Sequence, residues 1–194
     1  KKGSAAIKPY IKKVNGPLIG FLFGGDNQDF KYSPEKVADV VGQIISAARD
    51  SGAGVMATTS RRTSVRAEKA IKDRLGSFEG TSLLVVANEK NIPNAIGGIL
   101  DMCNVIVVSG ESVSMISEAA ASGKQVLVFK GERLGRGKGK YDDFLDNMVK
   151  EGYVEIAGQD ELYGMIKAAV ASEKSSKPSG GVSRIYENMW RLGA

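Results

Sequence analysis

The chain has 194 residues, 42% of them hydrophobic and 25% charged, which is the balance of an ordinary globular protein long enough for one domain with a substantial core. Its net charge of +5 suits an acidic small ligand but is too small and too dispersed to make nucleic acid an expected partner. One cysteine, Cys103, and no histidine exclude an intrachain disulfide, a multi-cysteine metal site, a Ser-His-Asp triad and most zinc sites.

The first 16 residues are basic, lack clear periodicity and read as a lead-in or linker with room for a short helix. Residues 17–23 (PLIGFLF) form a continuous apolar run, the pattern of a buried strand, which Gly24, Gly25, Asp26 and Asn27 break. Ser33-Pro34-Glu35 is a helix start, with a hydroxyl N-cap, proline at the first helical position and an acid in the first turn. Val37, Val40, Val41, Ile44, Ile45 and Ala48 follow at helical spacing up to a stop at Gly52. The alternation then repeats: strands over 54–58, 82–86, 105–108, 126–129 and 153–156, and helices over 64–75, within 91–102, and over 112–121, 141–150 and 160–171. Residues 173–182 have linker composition, and 183–194 read as a last helix carrying Ile185, Tyr186, Met189 and Trp190.

Unbroken apolar strands alternating with helices call for an α/β fold: a doubly wound, mostly parallel sheet of about six strands with helices on both faces, spanning 17–172. Right-handed crossovers then gather every strand-to-helix loop at one edge of the sheet, where ligands bind in such folds. No apolar run reaches the ~18 residues of a membrane span, and no signal-peptide pattern opens the chain. A cytoplasmic setting is the expectation, and attachment at a membrane periphery is compatible with it.

Five loops should meet at that edge. In the first, Gly24 and Gly25 permit close backbone approach and Asn27 offers a donor and an acceptor, although the same text also fits a plain tight turn. The second, Thr58 to Thr63, sets Ser60, Arg61 and Arg62 before a helix, the chemistry of phosphate or carboxylate recognition. The third holds Asn88, Asn91 and Asn94, which fit a base, a sugar or an ordinary turn equally well. In the fourth, amides and hydroxyls of Ser112, Val113, Ser114 and Met115 open a helix suited to a diphosphate without a metal, and Glu118 is placed to accept from ribose hydroxyls. The fifth, 130–140, is basic and glycine-rich, either a mobile cover for an anion or a solvated loop. Neither a P-loop nor a G-x-G-x-x-G fingerprint is present.

The run VVSGESVSMISEAAASGKQVLVF resembles the nucleotide-binding segment in the C-terminal domain of GT-B glycosyltransferases. More closely, Gly24-Gly25, TSRRT at 59–63 and SVSMISEA at 112–119 resemble, in that order, the mitochondrial-fission ELM-type family, also described as predicted nucleoside-diphosphate-sugar proteins. Gln125 stands where related text has proline, and Gly110-Glu111 where the family tends to have aspartate. The resemblance implies a GT-B-like nucleotide-sugar-binding half, with Glu118 on the ribose, Ser112 to Met115 around the diphosphate and no further cofactor required. It also implies an acceptor site and catalytic base in an N-terminal domain outside this chain, to which the last helix would cross back. The alternative is a non-catalytic module that recruits a protein partner and keeps a relic pocket.

Overall fold

A computed structural model describes residues 2–90, 92–135, 137 and 139–172. Asn91, Arg136, Lys138, the expected linker 173–182 and the expected helix 183–194 lie outside the described residues. A short helix α1 (Lys2–Ile7) and a 3-10 turn (Lys8–Tyr10) lead into β1 (Leu18–Phe23), β2 (Phe30–Lys31), α2 (Pro34–Ser51) and β3 (Gly54–Thr59). There follow α3 (Val65–Gly76), β4 (Thr81–Val85), α4 (Ala95–Met102), β5 (Val105–Ser109), α5 (Val113–Ala121) and β6 (Gln125–Phe129). The described chain closes with β7 (Glu132–Arg133), α6 (Lys140–Lys150), β8 (Glu155–Ala157) and α7 (Leu162–Ala171).

Local chemistry accounts for α2. Ser33 is its N-cap, the hydroxyl accepting from the Lys36 amide at 3.2 Å, and Gly52 ends it in the left-handed region at φ 60°. Its buried face is the expected one, Val37, Val40, Val41, Ile44, Ile45, Ala47 and Ala48.

The main sheet has six strands in the order β4-β3-β1-β5-β6-β8, every neighbouring pair parallel. Numbered along the chain within that sheet, this is the 3-2-1-4-5-6 order of doubly wound folds, with the topological switch between β1 and β5. Strand alternation divides the core into two layers. Ile19, Phe21 and Phe23 point into one with α2, α3 and α7, while Leu22, Met56 and Ile106 point into the other with α4, α5 and α6. Gly20 lets α4 close on the sheet, since a Cβ there would lie 2.9 Å from Ile99 Cγ2 and 2.7 Å from Ile106 Cδ1.

Two stretches differ from the sequence reading. The first is the lead-in, which packs on the domain. Ile7 is fully buried, the Ser4 amide donates to Asp101, and residue 12 is pinned to β4 by the Ser82 hydroxyl and carbonyl. Six helical residues with one buried isoleucine are too short to show a period. The second is the start of the basic loop, where Glu132 and Arg133 pair antiparallel with Lys31 and Phe30. This ties the loop after β6 to the loop after β1, and Arg133 lies over the Phe30 ring and pairs with Asp142.

Candidate functional site at the switch point

At the carboxyl ends of β1, β3 and β5, backbone approaches backbone closely enough to require glycine. Gly25 sits at φ 120°, and a Cβ on it would lie 2.7 Å from the Arg62 carbonyl oxygen and 2.9 Å from Thr63 Cα. A Cβ on Gly24 would lie 1.9 Å from Glu111 Oε1 and 3.0 Å from Ser112 Cβ. The segments around Gly25, Arg62 and Ser112 therefore meet at the point where the strand order reverses.

Most hydroxyls at this meeting point serve the scaffold. The Ser60 hydroxyl donates to the Gly24 carbonyl and accepts from the Arg62 amide. Thr63 Oγ1 donates to the same carbonyl at 3.1 Å and accepts from the Ser60 amide at 3.0 Å. Thr59 Oγ1 accepts from the Ala87 amide, joining the loop after β4. In that loop Asn88 donates its amide to Glu68 at 2.7 Å and to the Thr63 carbonyl at 3.3 Å, so its donor is engaged within the protein. The Asn27 carbonyl oxygen accepts from the Asp29 and Phe30 amides, whereas its buried Nδ2 has no partner.

What remains for a ligand is backbone and charge. Arg61 and Arg62 are both exposed. Ser112 stands at the N-cap of α5 with φ −101° and ψ 85°, and its side chain does not cap the amides of the first turn. Ser114 is exposed and Val113 half-buried, while the Met115 side chain packs in the core and contributes only its amide. Glu118 is half-buried, and burial raises its carboxyl above the ordinary range.

Four residues that the sequence reading did not assign to a ligand meet at the same turns. Ser109 Oγ accepts from the Gly24 amide at 2.8 Å and donates to Glu111 Oε1 at 3.0 Å. Tyr32 is 2% exposed, and its hydroxyl accepts from the Gly110 amide at 3.1 Å. Thr63 knits the second turn to the first. Glu111 is 1% exposed, and its Oε2 has no hydrogen-bond partner. Burial pushes the Glu111 carboxyl up, opposed by the neighbouring Tyr32 phenol, the Ser109 hydroxyl and the positive charge of Arg62. The signal for Glu111 was its position in the small polar turn between a buried strand and a helix.

Among the described residues no cluster of three metal-ligating side chains occurs, and no helix is long and apolar enough to cross a membrane. A groove of about 760 Å³ lies away from the switch point, between α2, α3 and α7, and is lined by Glu35, Gly42, Arg49, Arg74 and Tyr163 among others.

A six-stranded doubly wound parallel sheet whose order reverses between β1 and β5 is a Rossmann-like fold of the kind found in the C-terminal domains of GT-B proteins. The chain itself belongs to the mitochondrial fission ELM1 family, whose profile matches residues 1–175. No curated protein sequence is similar enough to count as a relative. In structure it is similar to UDP-GlcNAc 2-epimerase from Neisseria meningitidis bound to UDP-GlcNAc. The TM-score is 0.65 at 14% identity, over 98% of this chain and 47% of that one. The Methanocaldococcus jannaschii UDP-GlcNAc 2-epimerase in complex with UDP-GlcNAc and UDP gives 0.64 at 12% identity, over 100% and 48%. The Escherichia coli ADP-heptose lipopolysaccharide heptosyltransferase II gives 0.52 at 16%, over 98% and 50%. The chain thus spans about half the length of these proteins, and at such identities the likeness establishes the fold alone.

Proposed function

We propose that this chain is the nucleotide-sugar-binding half of a GT-B-like glycosyl-transfer protein. The observation that carries the reading is the N-terminus of α5, whose N-cap Ser112 caps nothing, brought beside Gly24 while the turn bearing exposed Arg61 and Arg62 lies against Gly25. In this reading the diphosphate rests on the amides of Val113, Ser114 and Met115, where the helix dipole favours negative charge. Arg61 and Arg62 neutralise its outer oxygens and stabilise the charge that grows as the sugar leaves. Glu118, further along the same helix, accepts from the ribose hydroxyls, and Asn27 Nδ2 donates to the sugar or phosphate. In this reading the acceptor and the general base come from a second domain facing the crevice, for the sequence holds no histidine.

Calorimetric titration tests this with UDP-GlcNAc alongside ADP- and GDP-sugars. One of them should bind, and Glu118→Ala and Arg61→Ala should each weaken binding by roughly tenfold, the value of one charge-assisted hydrogen bond at the low end. Absence of binding by the intact chain up to millimolar ligand removes the reading. The second reading, a recruiting module with a relic pocket, draws on the family's name and on the groove between α2, α3 and α7. It predicts partner capture that survives loss of Arg61 and Glu118.

A further inference from the structure

Glu111 is out of place in a crevice built for an anion. It lies immediately before the N-cap of α5, is 1% exposed, and holds its carboxyl over Gly24 beside Ser112. Oε1 accepts from the Ser109 hydroxyl, and Oε2 accepts from nothing. An ionised carboxylate there would compete with a phosphate for the α5 amides and for Arg62, and would repel it. A neutral carboxyl has the opposite character, for its proton can be shared with the neighbouring Tyr32 oxygen or given to an anion's oxygen. Resting on the diphosphate-site reading above, we infer that Glu111 binds the anion as a neutral acid, donating a hydrogen bond from Oε2, so that deprotonation of Glu111 closes the site.

The surroundings favour this assignment. Burial pushes the Glu111 carboxyl up, toward the neutral form, and anion binding pushes it further in the same direction. Tyr32 faces the carboxyl from the segment after β2, and its own phenol is held far above the ordinary range by burial and by Glu111, so it stays neutral throughout. Arg62 faces it from the turn after β3 and opposes the upward push. Lys130, after β6, lies near Gly110 with its stem, 3.5 Å from where a Cβ would be. For an acid raised in the free protein and raised further by ligand, affinity is full below the free-protein value and falls as pH rises through it.

Sulfate and UDP-GlcNAc serve as probes, since neither sulfate nor the diphosphate changes charge between pH 5 and 9. Each is titrated into the intact chain and into Glu111→Gln while the amide resonances of residues 112–115 are followed. The wild type should lose at least tenfold in affinity between pH 6 and 9. Glu111→Gln, a neutral donor of the same shape, should hold the acid-side affinity throughout, and Glu111→Ala should bind weakly at every pH. Sulfate binding with this profile, but no UDP-GlcNAc binding, would keep the inference and remove the nucleotide-sugar reading. UDP-GlcNAc binding that is flat with pH in the wild type, or equally steep in Glu111→Gln, would keep that reading and overturn the inference. Binding of neither probe overturns both.

Discussion

Two helix starts at the same edge of the sheet, drawn from similar polar text, are used in opposite ways. At α3 the Ser64 hydroxyl accepts from the Ala67 amide at 3.3 Å, and in the preceding turn Ser60 and Thr63 spend their hydroxyls on the Gly24 carbonyl. At α5 Ser112 occupies the N-cap and caps nothing. The first start is closed by its own side chains and offers only the guanidinium groups of Arg61 and Arg62. The second is open in its backbone. The contrast teaches that serine and threonine beside a helix start do not by themselves mark a ligand site, since they can be spent on the scaffold.

That contrast can be broken or sharpened by substitution. The largest effect should come from Gly25→Ala, which puts a side chain at φ 120° against the Arg62 carbonyl where the two turns meet. A loss of about 3 kcal/mol in denaturant unfolding is expected, and a neutral result would mean the turns are not in contact. Next is Thr63→Val, which strips the hydroxyl shared by the Gly24 carbonyl and the Ser60 amide and should cost about 1–3 kcal/mol in the same assay. Ser64→Ala should cost ~1 kcal/mol as a lost cap, whereas Ser112→Ala should cost less than half as much. Equal losses at the two serines would contradict the open-helix description of α5. Smallest of all, Arg61→Ala should leave stability within ~0.5 kcal/mol and reveal itself only in anion binding, since its side chain is exposed.

Much of the frame was legible in the residues because burial on both faces writes itself as continuous apolar text. PLIGFLF and VIVV needed no partner to be read as central strands, and the Ser33-Pro34-Glu35 start and Gly52 stop of α2 are local chemistry. The two-residue strands β2 and β7 left no trace, because pairing of Phe30 with Arg133 depends on where two distant loops land. Gathering of Gly24, Gly25, Arg62 and Ser112 followed from the parallel topology alone. The division of labour among them did not. Ser60 and Asn88 carry the same donors whether they face a ligand or a neighbouring carbonyl, and only coordinates separate the cases. Glu111 was hidden for a related reason, since a glutamate in a polar turn reads as exposed until Gly24 is found against its carboxyl.

A crystal structure of the chain soaked with UDP-GlcNAc tests the central claim most directly. The diphosphate should lie within hydrogen-bonding distance of the Val113, Ser114 and Met115 amides, with Arg62 on its flank and the ribose on Glu118. Density for the ligand in the groove between α2, α3 and α7, or an α5 N-terminus still bare at saturating ligand, would contradict it.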